Sequence, residues 1–269
     1  ETAGRDPRMA QTVLCPGYIA KGEESVTAND MTAMTGYEPI KFVSTAAHSG
    51  ASKGPSDWPL FRTAEVYLNY AEAKAELGTL TKDDLLISID RIRDRAGMKG
   101  LDMAAANANP DPFLLACYPN VTKSENTGVI LEIRRERTIE LVMEGLRMWD
   151  MFRWKEGAQL VNETNPYYGI YFSGPGLYDM DGDGRNDLEL YVDKQTSSPA
   201  DGLTVLRIGS DIILSDMAEN RGYVVAWSTL KYTWNEERDY LWPIPADQRV
   251  LTGGLLTQNP GWTDSTDFD

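Results

Sequence analysis

Apolar positions along this chain change their period twice. Residues 1–60 carry Gly, Ser and Pro in quantity and hold no sustained period, so loops and extended segments are expected, with one short strand over Ile40–Val43. From Phe61 to Leu77 apolar residues recur at three and four: Ala64, Leu68, Ala71 and Ala75, flanked by Val66, Tyr70, Ala73 and Leu77. That spacing, free of Gly and Pro, predicts a helix stopped by Gly78. Thr81 followed by Asp84 makes a capping-box start, and Leu85, Leu86, Ile89 and Ile92 carry the period to Gly97, predicting a second helix packed back on the first. Alanines on the first helix let the two approach closely. The pair has the size of one helical-hairpin repeat unit of about 34 residues.

Beyond a connection over Ala104–Thr127, a third helix is predicted from Val129 to Trp154. Glu136, Glu140 and Glu144 fall on one stripe of it, where like charges repel unless cations answer them. Arg134, Arg135, Arg137, Arg147 and Arg153 supply the cations, and Ile133, Ile139, Leu141, Val142, Leu146 and Trp149 supply the apolar face. This is the pattern of a structural ion-pair network. The paired acids of a glycosidase instead emerge in a cleft on either side of a bond. From Glu156 onward Gly, Pro, Asn and Asp dominate, and short apolar runs at Leu188–Val192, Thr204–Ile208 and Tyr223–Trp227 predict brief strands, with a short helix near Gly209–Gly222. The expected fold is mainly α, a tetratricopeptide-like helical hairpin scaffold with long irregular loops and a few short strands. It divides into an extended segment 1–60, a helical core 61–156 and a loop-rich region 157–269.

Composition narrows the function. With 269 residues, 42% of them hydrophobic, the chain can fill a real core, which excludes disorder as its main state. Lys plus Arg number 26 against 41 Asp plus Glu, a formal net charge of −15, and no basic cluster lies outside the Arg-rich helix, so no nucleic-acid partner is expected. The longest apolar run, Phe113–Tyr118, is far short of the roughly 20 residues that span a bilayer. Glu1 opens the chain without a secretory-signal pattern, as in a mature, trimmed or partial chain. Cys15 and Cys117 form neither a metal ribbon nor a disulfide framework; one long-range disulfide and two free thiols both fit. The single histidine, His48, sits among small residues, which excludes zinc sites built from several imidazoles and leaves Ser-His-Asp or Cys-His chemistry without a positioned base.

Chemistry concentrates at Asp179, Asp181, Asp183, Gly184 and Asp187, which spell D-x-D-x-D-G-x-x-D. Ca²⁺ takes six to eight oxygens in flexible geometry, and acids at loop positions 1, 3, 5 and 9 with the carbonyl of Arg185 at position 7 would supply them. Position 12 is Leu190, where an EF-hand has Glu, so a calcium loop entering a strand at Leu188 fits better; an acidic turn without metal is the alternative. Just upstream, Tyr167, Tyr168, Tyr171 and Phe172 crowd a Pro- and Gly-bounded loop, and with Trp58 and Trp234 they are the candidates for stacking on a flat apolar ligand such as a sugar face.

Three blocks together resemble one family. Phe61–Ala73 (FRTAEVYLNYAEA) with Ile89–Gly97 (IDRIRDRAG), Glu136–Trp154 (ERTIELVMEGLRMWDMFRW) and Tyr240–Trp262 (YLWPIPADQRVLTGGLLTQNPGW) resemble, in order and spacing, the C-terminal half of the SusD/RagB family of surface glycan-binding lipoproteins of Bacteroidota. Thr138 stands where Arg is usual, while Asp6-Pro7-Arg8 and Thr35-Gly36-Tyr37 with Lys41 fit the preceding region. The resemblance implies a C-terminal portion of one domain without catalytic activity. It also implies a lipid anchor in an N-terminal part not contained in these residues, an outer-membrane, cell-surface location, and a lid role over a TonB-dependent barrel of the SusC type. The resulting expectation is capture of oligo- or polysaccharide for uptake. The alternatives are a peptide-binding SusD/RagB-type protein and a helical-repeat interaction scaffold. Ligand residues of the family vary with substrate, so the aromatic and calcium candidates rest on this chain alone.

Overall fold

The computed structural model describes residues 4–48, 54, 55, 57, 59–161, 167–199, 202–227 and 232–263. In chain order the helices are α1 (Met9–Thr12), α2 (Thr63–Glu76), α3 (Lys82–Leu86), α4 (Ile89–Arg95), α5 (Met103–Ala108), α6 (Pro112–Cys117), α7 (Thr127–Glu140) and α8 (Arg147–Arg153). The strands β1 (Tyr168–Phe172), β2 (Gly176–Tyr178), β3 (Leu188–Tyr191), β4 (Thr204–Arg207), β5 (Leu214–Asp216) and β6 (Arg221–Val225) follow, and α9 (Ala246–Leu251) comes last. Two compact units divide the chain: Glu1–Glu65, Ile92–Lys99 and Thr164–Leu230 form one, and Val66–Arg91, Gly100–Glu163 and Lys231–Asp269 form the other. Each takes residues from more than one of the stretches 1–60, 61–156 and 157–269.

The second unit is helical. α2 buries Leu68, Ala71, Glu72 and Ala75 and ends before Gly78, whose φ of +68° breaks the helix. The Thr81–Asp84 capping box forms at the start of α3 with both reciprocal bonds present. The predicted second helix is interrupted at Ile87 and Ser88, where Ser88 Oγ bonds back to the carbonyl of Asp84. The single helix predicted over Val129–Trp154 is two: Met143 at φ +64° and Gly145 at φ +78° turn the chain between α7 and α8. Two short helices, α5 and α6, occupy the stretch expected as connection; Asp102 and Asp111 cap their starts. α5 lies so close to α7 that a Cβ on Gly128 would fall 1.9 Å from the carbonyl oxygen of Ala106.

Ion pairs hold this unit together across its helices. The carboxylate of Glu72 on α2 accepts from both terminal nitrogens of Arg153 and, at 2.6 Å, from the indole of Trp154. Burial pushes the Glu72 carboxyl up, but these donors outweigh it and hold the group below its ordinary range. Arg137 Nε donates to Asp150 at 2.6 Å while its terminal nitrogen reaches Asn69 of α2. Arg134 lies 4.6 Å over the Trp154 ring. Thr138 accepts from Arg147 at 3.0 Å. The expected structural role of the Arg-rich helix is therefore seen in Arg134, Arg137 and Arg153.

The first unit carries two three-stranded sheets, ordered β1-β6-β5 and β2-β3-β4. Within the second sheet β2 and β3 are antiparallel and β3 and β4 parallel. Phe172, Leu188, Leu190, Ile208, Ile212, Leu214 and Val224 from both sheets share one buried cluster. Three predicted strands correspond to β3, β4 and β6. The helix expected near Gly209–Gly222 is instead turn and strand, because Ile212, bridged to Ile208, and Leu214 of β5 both face this core. Over Ile40–Val43 no strand forms; the local pairing is the isolated bridge Val13–Pro39.

Candidate functional site

β1 and β6 raise a row of aromatic rings. In register, Tyr168 faces Val225 and Tyr171 faces Tyr223, so three steps along β1 oppose two along β6. Residues three apart on a regular strand point to opposite faces; the bulge restores Tyr168 and Tyr171 to one side. Tyr168, Tyr171 and Tyr223 are all exposed, whereas the residues that follow them, Gly169, Phe172 and Val224, are buried. Tyr168 and Tyr223 stack with centroids 5.4 Å apart and planes 14° from parallel, and Tyr171 meets Tyr223 edge-on at 5.2 Å. Tyr167 and Trp227 add an edge-on pair at 6.3 Å.

Two glycines make this row possible. A second bulge separates the β5–β6 pairs Leu214–Val224 and Asp216–Arg221; within it Gly222 has φ +115°, and the Tyr223 N–H donates to Ser215 Oγ at 3.0 Å. A Cβ on Gly222 would meet Ser215 Oγ at 2.3 Å. On β1, a Cβ on Gly169 would sit 2.0 Å from the carbonyl oxygen of Thr35, and the Ile170 N–H donates to that oxygen at 2.9 Å. The Thr35-Gly36-Tyr37 segment thus lies directly against β1.

Beneath the row, a cavity of about 200 Å³ lies among α1, the segment Leu14–Pro16, Asn29, Gly36, Tyr37, β1 and the end of β2. Tyr171 and Asp179 both line it, so it runs between the aromatic row and the acidic loop. That loop is the connection of the β2–β3 hairpin, whose last pair is Tyr178–Leu188. Carboxylate oxygens of Asp179, Asp181 and Asp187 converge within 4.8 Å of one another. Two oxygens held by one ion at about 2.4 Å are at most about 4.8 Å apart, so these three carboxylates could hold one hard cation between them. Asp179 accepts from the N–H groups of Gly182 and Gly184, and Asp187 from that of Met180 at 2.7 Å. Asp181 is buried; burial and the neighbouring Asp187, Asp183 and Asp179 push its carboxyl up. The Gly17 N–H ties the loop down by donating to the Asp181 carbonyl at 2.7 Å.

A profile of the SusD family matches residues 1–262. The chain belongs to the SusD family. Two solved structures from Bacteroides fragilis NCTC 9343 resemble it. A SusD-like protein is 22% identical with a TM-score of 0.58, over 97% of this chain and 40% of that one. A SusD-like carbohydrate binding protein is 22% identical with a TM-score of 0.55, over 93% of this chain and 41% of that one. This SusD-family chain thus spans about 40% of the length of those relatives, and the likeness shows the fold. Comparison with curated proteins gives no match.

Within this SusD-family fold the predicted site residues separate. Tyr168 and Tyr171 come together on the sheet through Tyr223, whereas Tyr167, ahead of β1, meets Trp227 instead. Phe172 does not join them: it is 2% exposed and packs edge-on to Tyr178 in the core, because it follows Tyr171 on the inward face of β1. Trp234 belongs to the helical unit, where it covers Gly157, packs on Phe152 and Tyr240, and donates its indole N–H to Glu236. Trp58 lies outside the described residues. Of the loop residues, Asp183 is not among the three converging acids; its carboxylate accepts the Arg185 N–H at 2.7 Å. Tyr223 is the ring missed as a ligand candidate. Its signal was the alternation of Arg221, Gly222, Tyr223 and Val224, which places the tyrosine opposite the buried valine.

No helix among the described residues is long and apolar enough to cross a membrane. Cys15 and Cys117 are both free thiols.

Proposed function

We propose that this SusD-family chain is a non-catalytic glycan-capture module. The observation that carries the reading is the exposed ring row of Tyr168, Tyr171 and Tyr223, a rigid apolar platform on paired strands. Pyranose rings present flat C–H faces that stack on such rings, while their hydroxyls stay in water, so binding needs little burial and affinity per site falls in the micromolar to millimolar range (about −4 to −8 kcal/mol). One solved relative is described as a carbohydrate binding protein, which supports the same reading.

A Ca²⁺ ion held by Asp179, Asp181 and Asp187, with Asp183 and the Arg185 carbonyl as further oxygen donors, would fix the hairpin loop next to the platform. In the whole protein this module would be the C-terminal part of a lipid-anchored, outer-membrane surface protein. It would hand oligosaccharide to a TonB-dependent SusC-like barrel, with α2 to α4 forming a tetratricopeptide-type hairpin. Native affinity electrophoresis through gels containing polysaccharides tests capture: retardation by at least one glycan, lost in Tyr168→Ala/Tyr223→Ala, is expected, and no retardation by any glycan refutes it. Detergent pull-down of the protein from its own membranes tests delivery, with a large barrel in near-equal amount as the expected companion.

A further inference from the structure

The cavity beneath the platform has walls that suit a different chemistry from the platform itself. Val13, Leu14, Cys15, Ile170, Phe172 and Met180 line it with carbon and sulfur. Several of its polar groups are already committed. The Asn29 amide donates to the Gly36 carbonyl and accepts from the Met31 N–H. The Tyr178 hydroxyl donates to the Gly174 carbonyl, and both Asp179 oxygens accept from Gly182 and Gly184. Burial pushes the Cys15 thiol further above its ordinary value, so at neutral pH that thiol is uncharged. A sugar ring buried against these carbon and sulfur walls would find few partners for its hydroxyls, at a cost of about 1–3 kcal/mol for each one left unpaired. An apolar group carries no such penalty, and a cavity of about 150 Å³ lined by aliphatic and aromatic side chains holds a benzene ring.

We infer that this cavity of about 200 Å³ is a specificity pocket for a small apolar substituent, an aryl or short acyl group, borne by the sugar that stacks on Tyr168 and Tyr223. Tyr171 connects the two: it lines the cavity and meets Tyr223 edge-on. The inference rests on the glycan reading above and names which glycans the site selects, those esterified or etherified with an apolar group.

The test compares three probes on the full chain: benzyl β-D-glucopyranoside, methyl β-D-glucopyranoside and N-acetylphenylalanine amide. Methyl resonances of Ile170 and Met180 report the cavity, and ring resonances of Tyr168 and Tyr223 report the platform. The benzyl glycoside is expected to move both sets and to bind at least about 10-fold more tightly than the methyl glycoside. Cys15→Phe, which fills the cavity, should erase that difference. The wild-type methyl shifts stand independently if this variant does not fold. Equal affinities with shifts confined to Tyr168 and Tyr223 overturn the pocket and leave the glycan platform standing. Binding of the phenylalanine amide as tight as that of the benzyl glycoside overturns both, assigning the pocket to a peptide side chain. Cavity methyls unmoved by every probe also overturn the inference.

Discussion

Tyr223 sits opposite Tyr171 in the strand register, yet its ring stacks near-parallel to that of Tyr168, 5.4 Å away and 14° from parallel. The bulge between Tyr168 and Tyr171 brings both β1 rings to the same face, so Tyr223 contacts two neighbours at once, Tyr168 in a near-parallel stack and Tyr171 in a T-shaped pair.

Removing that shared ring is therefore the sharpest probe of the platform. Tyr223→Ala is expected to weaken glycan binding by about 3- to 10-fold, the range of one aromatic contact, whereas Tyr223→Phe retains it. Tyr223 is exposed, so far-ultraviolet circular dichroism should be unchanged. Titration calorimetry of both variants decides, and equal affinity in Tyr223→Ala and wild type counts against the platform.

Gly222→Val addresses how the platform is built. At φ +115° and 2.3 Å from Ser215 Oγ, a side chain has neither backbone freedom nor space, so β5 and β6 must part or the bulge must move. Loss of the Tyr223 ring contacts by nuclear Overhauser effects, with a lower unfolding midpoint, is the expected result.

Calcium at the hairpin loop should stabilise the fold by mass action. At 100 times its Kd, an ion that binds only the folded state contributes about 2.7 kcal/mol, a rise in Tm of roughly 5 °C for a chain of this size. The rise should vanish with chelator and in Asp181→Asn. Identical midpoints with calcium and with chelator would remove the metal from the account.

Arg137 and Asp150, both about 5% exposed, form a buried ion pair between α7 and α8. Asp150→Ala leaves a buried guanidinium with the Asn69 oxygen and without its countercharge, and should cost about 3–5 kcal/mol in urea unfolding. Arg137→Lys is expected to be costly too, because an ammonium cannot reach Asp150 and Asn69 together through a planar fork.

Glu189 on β3 sets an acid limit. Burial raises its carboxyl, but the N–H and hydroxyl groups of Thr196 and Ser197 lower it more, to about 2 against an ordinary 4.5. A group held lower in the folded state contributes stability that is complete above about 4.5 and is lost as pH falls toward 2. Carboxyl ¹³C titration should place the folded-state midpoint near 2, and Glu189→Gln should flatten the stability profile below pH 4.5.

Periodicity and local chemistry were legible without the fold. The α2 stripe, the stop at Gly78, the Thr81–Asp84 cap, three of the short strands and the convergence of acids in one loop all depend on neighbours within a few residues, which the chain carries in its own order. The family, too, was marked by three local blocks in the right sequence.

What stayed hidden depends on partners distant along the chain. The break between α7 and α8 runs against an apolar and charged pattern that continues through it. Phe172 and Tyr171 are adjacent and equally aromatic, and only the pleat of β1, paired with a strand about fifty residues away, sends one to the core and the other to solvent. Tyr223 joins the site for the same reason, since strand register and two bulges, not sequence proximity, bring its ring onto Tyr168. Helix periods and loop acids are properties of the sequence; which faces meet is decided by backbone hydrogen bonds between segments that the sequence keeps apart.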